Sequence, residues 1–265
     1  MTEQQAAEQH AAPSALAGAL PPRSPRAAAI SAHRGGGESA PEATYEAYEA
    51  AAQAGVEYVE FDIRRTADGE LVVYHDARIA GELISSVGYA RLCHLAGYEV
   101  PLTGEVMRLL AGRAIGHLDV KTVGDEEDIV RQAIDVLGQG NFVLTTLEDS
   151  SVQAITSRFP QTAVALSLGR DMRGLPWMTK VSQRRSELYP LNRLRACGAG
   201  WAAMHYQLGL AGALRQCHSG GIRTMVWTVN NDLMLRRLLA DPRVDVVVTD
   251  RPRRAAALRA ALTSS

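Results

Sequence analysis

From Ala27 onward, short apolar runs rich in β-branched residues alternate with longer stretches in which apolar positions recur at helical spacing. That is the pattern of parallel strands joined by crossover helices. The runs predict strands at 27–33, 56–63, 114–121, 142–146, 162–167, 200–205, 222–229 and 244–249. Eight strands suit a closed (β/α)8 TIM barrel, although an open doubly wound sheet shows the same alternation. Between strands, Ser39 to Glu42 reads as a capping box opening a helix that Gly55 terminates. Residues 125–138 place Ile129, Ala133, Val136 and Leu137 on one stripe and acids in the first turn, as an outer helix should. Segments 77–98 and 169–188 follow neither period and are long for barrel loops, so they are expected to shape a substrate mouth.

The pattern changes character at "VEFDIRRTADGELVVYHD", residues 59–76. Strand alternation turns Glu60 and Asp62 to one face and Phe61 and Ile63 to the other, toward the covering helices. Two carboxylates about 5 Å apart repel by roughly 3 kcal/mol at an effective dielectric near 20, which a bound cation or a shared proton would relieve. Asp68-Gly69 signals a two-residue hairpin turn pairing Thr66 with Leu71, a register that would bring His75 directly opposite Asp62. The predicted fold is therefore α/β, a barrel with a small β-hairpin and loop insertion after strand 2. A plain exposed hairpin with solvated charges is the competing reading.

Two further strands add polar groups to the same end. In "GHLDVKT", His117, Asp119 and Lys121 alternate with Leu118 and Val120 and so face the barrel interior. A structural Asp119 to Lys121 pair would also account for two of them, and His117 fits a hydrogen-bonded core residue. In "SAHRGGG", glycines permit close backbone approach to a ligand, Arg34 offers a planar fork for phosphate, and His33 stands beside it. The stretch lacks the Gly-Lys-Ser/Thr of a nucleotide-binding loop.

Composition narrows the classes. With 28 basic and 29 acidic residues, no global field draws the chain to nucleic acid or an anionic surface, so any anion selectivity is local. The three cysteines, Cys93, Cys197 and Cys217, lack metal-ligand spacing and fit reduced thiols in a cytoplasmic protein. Residues 1–26 lack a basic start and read as a disordered leader before a single domain at 27–265. No run reaches the roughly 18 apolar residues that span a bilayer. His94, His205 and His218 read as structural, and "QRRSE" and "LRRLLADPR" as solvated helix faces.

Taken in order, His33-Arg34-Gly35, Pro41-Glu42, Thr44, Glu60-Phe61-Asp62, Thr66-Ala67-Asp68-Gly69 and His75-Asp76 resemble the signature of the glycerophosphodiester phosphodiesterase family. "VWTVNN" and "VDVVVTDRP" resemble its seventh and eighth strands, so the likeness runs from about residue 27 to 252. Ala43 departs from the usual asparagine and Asp119 from the commoner glutamate, and the Arg-Thr that often follows His-Asp is absent.

The resemblance implies a divalent cation, Mg²⁺ or Ca²⁺, held by Glu60, Asp62 and Asp119. It further implies His33 and His75 as the acid/base pair, Arg34 and Lys121 on the phosphoryl oxygens, and Trp227 against the substrate. The expected reaction is cleavage of a small-molecule glycerophosphodiester to glycerol 3-phosphate and an alcohol. Because Asp119-Val120-Lys121-Thr122 is similar to the sphingomyelinase D branch, a lyase route releasing a cyclic phosphate is an alternative. A Schiff-base lyase using Lys121 and a non-catalytic binding barrel are others.

Overall fold

The computed structural model describes residues 27–174 and 176–263, and in it the strand alternation closes on itself. Eight parallel strands form the barrel: β1 (Ala29–Ala32), β2 (Tyr58–Arg65), β6 (Ile115–Val120), β7 (Phe142–Thr146), β8 (Ala163–Leu168), β9 (Trp201–His205), β10 (Arg223–Trp227) and β11 (Val246–Thr249). Neighbours follow chain order, and β1 pairs with both β11 and β2, which closes the ring and disposes of the open-sheet alternative. The predicted strands coincide with these to within two residues at each end. The leader expected at 1–26 lies outside the described residues.

Each strand divides its side chains between two cores. Outward-facing Phe61, Ile63, Leu118, Leu144 and Val226 are buried against the helix ring. The ring includes α1 (Tyr45–Gln53), α3 (Thr103–Leu110), α4 (Glu126–Leu137), α5 (Asp149–Arg158), α7 (Leu191–Cys197), α9 (Leu214–Ser219), α10 (Asp232–Leu239) and α11 (Pro252–Thr263). Inward-facing Tyr58, Val143, Ala165, Trp201, Met225 and Val246 plug the barrel itself. Burying one such large apolar side chain stabilises by about 2 kcal/mol, so the interior is a packed core and not a pore.

The insertion after the second strand departs from its predicted register. Strand β3 (Leu71–Val73) pairs antiparallel with β2 as Ile63 to Val73 and Arg65 to Leu71. Thr66 N donates to Glu70 O at 3.0 Å, so the loop is the three residues Ala67, Asp68 and Gly69, not two. Within this loop the Asp68 carboxylate accepts from Tyr89 N at the start of α2 (Tyr89–Ala96) at 3.0 Å. Tyr74 therefore lies opposite Asp62, its N–H donating to Asp62 O at 3.1 Å, and His75 falls one place further on. Strands β4 (Arg78–Ile79) and β5 (Glu82–Leu83) complete the insertion, which has its own core of Val72, Ile79, Ile84, Val87, Leu92 and Val100. β3 can attach because β1 covers only Tyr58 and Val59 of β2, leaving its upper edge open.

Two local expectations change. The α1 cap is Thr44, whose hydroxyl accepts from Ala47 N at 3.3 Å, in place of the box at Ser39 to Glu42. Ala43, just before it, sits at φ 60°, a left-handed conformation that suits asparagine or glycine better than alanine. "QRRSE" is not wholly solvated: Glu187, on α6 (Trp177–Leu188), is fully buried and its Oε1 accepts from Gly169 N and Arg170 N, each at 3.0 Å. Cys197 and Cys217 fill the core, Cys93 is half-buried, and all three are free thiols. Among the described residues no helix is long and apolar enough to cross a membrane.

Candidate active site

The C-terminal ends of the barrel strands surround a cavity of about 330 Å³ lined by His33, Arg34, Glu60, Asp62, His75, Asp119, Lys121 and Trp227. All eight residues singled out in the sequence thus reach one space. Parallel register does much of this, since Asp62 on β2 pairs directly with Asp119 on β6, and Asp119 with Thr145 on β7. Side chains at paired positions of neighbouring strands point the same way, so two carboxylates and a hydroxyl meet at one level.

The first strand delivers its residues by a strained turn. After Ala32 the chain enters a single 3₁₀ turn, His33–Gly35, with Arg34 at φ 49° and Gly35 at φ 79°. A Cβ at Gly35 would lie 2.8 Å from the Ala47 carbonyl carbon, so only glycine lets the turn sit against α1. In return, Arg34 N donates to Glu60 Oε2 at 2.8 Å, and the Arg34 guanidinium reaches Asp62, Nε to Oδ2 at 3.1 Å. That contact lies off the N–H direction: although both atoms are buried, neither has a hydrogen-bond partner.

The acids are crowded. One oxygen from each of Glu60, Asp62 and Asp119 falls within 4.8 Å of the others. Burial, and then the Asp62 charge, push the Glu60 carboxyl up to about 8. Burial would also raise Asp119, but Lys121 and the hydroxyl of Thr145, donating to Oδ1 at 2.9 Å, outweigh it and hold that carboxyl below its usual range. Lys121 Nζ bonds Asp119 Oδ2 and lies 2.9 Å from Asp62 Oδ1. Burial would lower the ammonium, yet the two carboxylates outweigh it and hold Lys121 well above its ordinary value. A lysine so protonated is a poor Schiff-base nucleophile.

The imidazoles differ in setting. His33 Nδ1 donates to Asp250 Oδ1 at 2.6 Å, while its Nε2 faces Glu60 Oε2 at 3.9 Å. Burial alone would lower His33, but the Glu60 charge and the Asp250 hydrogen bond leave it raised. His75 is exposed at the rim, Nδ1 2.7 Å from Asp76 Oδ1, its carbonyl clamped by Arg64 Nη2 at 2.8 Å. His117 lies deeper, between Ser31 Oγ at 3.0 Å and Thr145 Oγ1 at 3.3 Å, and burial lowers it to about 4, as befits a core histidine. Trp227 is half-buried, with His205 edge-on to its ring at 5.5 Å, so His205 supports the rim.

Sequence reading missed Asp250, Asn230 and Thr145. Asn230 Nδ2 donates to Asp250 Oδ2 at 2.5 Å, fixing the carboxylate that orients His33. A polar residue immediately after the last strand was the available signal, because barrels keep their chemistry at that end. The three acids could hold a divalent cation: they supply hard oxygens, and Asp62 Oδ2 is a buried acceptor without a hydrogen bond. A second group, His33, Glu42 and Asp250, has similar spacing, but its imidazole and carboxylate already satisfy each other.

Cationic side chains and imidazoles around an acid cluster suit the chemistry of taking apart a doubly esterified phosphate. The model of the glycerophosphoryl diester phosphodiesterase family matches residues 33–104, the stretch carrying the turn, the acid pair and the insertion. A glycerophosphodiester phosphodiesterase of Caldanaerobacter subterraneus is 22% identical over 247 residues, 84% of this chain and 94% of that protein. The crystal structure of the Thermotoga maritima glycerophosphodiester phosphodiesterase shares the fold, with TM-score 0.66 at 22% identity, over 88% of this chain and 98% of that one. An Oleispira antarctica phosphodiesterase, solved with its product sn-glycerol-3-phosphate, superposes with TM-score 0.66 at 19% identity, over 88% and 96%. Over residues 33–104 the chain is thus similar to the glycerophosphoryl diester phosphodiesterase family, and over most of its length to a glycerophosphodiester phosphodiesterase.

Proposed function

We propose that this chain hydrolyses a glycerophosphodiester to glycerol 3-phosphate and an alcohol in a cation-dependent reaction, with His33 and His75 transferring the protons. The observation that carries the reading is the convergence of three acids and two imidazoles on one cavity, with a buried Asp62 oxygen among them that accepts no hydrogen bond. Glu60, Asp62 and Asp119 would hold the divalent ion, which supplies charge neutralisation at the phosphoryl oxygens.

The chain's own groups do the remainder. Arg34 and Lys121 steady the non-bridging oxygens, and electrostatic stabilisation of this kind is usually the largest catalytic contribution. One imidazole accepts a proton from the attacking water as its oxygen bonds to phosphorus, and the other protonates the departing alkoxide as its phosphorus–oxygen bond breaks. Asp250 keeps the His33 proton on Nδ1, leaving Nε2 turned toward Glu60. Trp227 packs against the glycerol or apolar portion of the substrate. The 330 Å³ volume suits a headgroup-sized ligand.

The test is hydrolysis of glycerophosphodiesters followed by phosphorus NMR. Glycerol 3-phosphate should appear, EDTA should abolish turnover, and His75→Ala should slow it about a hundredfold. Activity indifferent to chelation refutes the metal assignment, and a lasting cyclic phosphate signal would favour the lyase route.

A further inference from the structure

Helix α6 belongs neither to the barrel wall nor to the outer ring. It stands between β8 and the crossover helix α7, and its base is pinned through buried Glu187 to Gly169 and Arg170, both of which line the active-site cavity. Every described residue from 176 to 182 is exposed. Trp177, Met178 and Val181 are 73%, 67% and 58% exposed, unusual values for such side chains.

Helical spacing sets these three, together with Arg185, on the side opposite Gln183, Ser186 and Glu187, which face the barrel. Among the described residues the segment's ion pairs are Arg170 with Glu148, Arg173 with Asp171 and Arg184 with Glu187, and neither Lys180 nor Arg185 takes part in one. The 169–188 segment carries Arg170, Arg173, Lys180, Arg184 and Arg185 against only Asp171 and Glu187, local basicity in a chain of net charge −1.

The rest of the surface agrees. The other exposed large hydrophobic residues among those described are Leu83, Tyr98, Val123, Tyr189 and Leu233. Each lies between the C-terminal end of a barrel strand and the crossover helix after it, or in that helix's first turn. The exposed large hydrophobic residues among those described thus all follow the C-terminal ends of barrel strands, the ends that hold the acid triad.

We propose that this rim, led by the N-terminal half of α6, docks peripherally on an anionic lipid surface, turning the active-site mouth toward the headgroups. A helix with an exposed N-terminal half, Trp, Met and Val outward, Arg185 among them and exposed Lys180 at their flank, has the chemistry of an interfacial anchor, its apolar side chains entering the acyl boundary and its cations meeting lipid phosphates. A second copy is a poorer occupant. A two-fold pairing of this patch would bring the basic side chains of both copies into one interface with only Asp171 and Glu187 of each segment to offset them.

Docking is separable from catalysis, because none of these side chains belongs to the acid and imidazole cluster. Full-length protein is mixed with vesicles of phosphatidylcholine alone or of phosphatidylcholine with phosphatidylglycerol, and bound protein is measured by sedimentation. Trp177 reports insertion directly: Trp201 is buried and Trp227 half-buried, so quenching by brominated acyl chains reads the α6 tryptophan.

Binding is expected only to anionic vesicles, weakened by salt, with Trp177 emission blue-shifted and quenched. The double variant Trp177→Ser, Val181→Ser and, separately, Lys180→Gln with Arg185→Gln should each lower vesicle affinity about tenfold. Hydrolysis of a soluble glycerophosphodiester should be unchanged in both. Absence of vesicle binding, binding untouched by either variant, or a concentration-dependent dimer in ultracentrifugation that the variants abolish would overturn the proposal. Loss of soluble-substrate hydrolysis in the wild type would count against the activity and leave the docking result standing.

Discussion

Two buried aspartates in one barrel are treated oppositely by their surroundings. Asp245, near the closed end, has both oxygens satisfied: Oδ1 accepts from Arg223 Nε at 3.1 Å and Oδ2 from Thr224 N at 2.8 Å, while the same guanidinium lies 4.0 Å over the Trp201 ring. Asp62, at the open end and only 2% exposed, leaves Oδ2 without a hydrogen bond and shares its space with two more carboxylates. A fully bonded buried charge supports the fold, whereas a crowded and incompletely bonded one is a cost retained for chemistry.

Substitutions at the two positions should therefore separate activity from stability. Asp62→Asn is expected to lower kcat/KM about a thousandfold, some 4 kcal/mol of transition-state stabilisation. Its unfolding free energy should change by less than about 1 kcal/mol, since a like charge leaves the cluster along with a cation's partner. Asp245→Ala should do the reverse, removing about 2 kcal/mol of stability by deleting the acceptor of the buried Thr224 N–H and of Arg223 Nε, while the folded fraction keeps its activity. Denaturant melts beside turnover measurements check both, and equal stability loss at the two sites would erase the distinction.

A smaller effect sharpens the comparison at the rim. Asp250→Asn keeps the shape but loosens the charge-assisted bond to His33, so kcat should fall about tenfold with KM little altered. A melting midpoint that moved while kcat did not would make Asp250 merely structural. Smallest is Ala43→Gly, which relieves the left-handed backbone at φ 60° and should raise stability by up to about 1 kcal/mol without touching turnover.

The insertion shows how far local reading reaches. Alternation correctly turned Glu60 and Asp62 to one face, because the period of a strand is a property of the chain alone. The hairpin register failed by one residue: the loop takes in Ala67 as well, and Asp68 within it accepts from the N–H of Tyr89, twenty-one positions away, a contact no local pattern announces. His75 still lines the cavity, but by following β3 past its last pair instead of facing Asp62 across it. The α1 start moved for a similar reason: Thr44 caps the helix only once the turn at Arg34 to Ala43 has been folded against it, with Ala43 N bonded to Arg34 O at 2.9 Å.

By itself the sequence determined the strand and helix order, the inward set on each strand and the residue types of the proposed phosphodiester site, since these follow from side-chain period and chemical kind. Closure of the ring decided what stands beside what. Only the parallel register of β2 with β6 makes Asp62 and Asp119 neighbours, and only the β1 to β11 pairing carries Asp250 to His33 across 217 residues. Contacts of that span are set by how the whole core packs, and no local pattern in the chain encodes them.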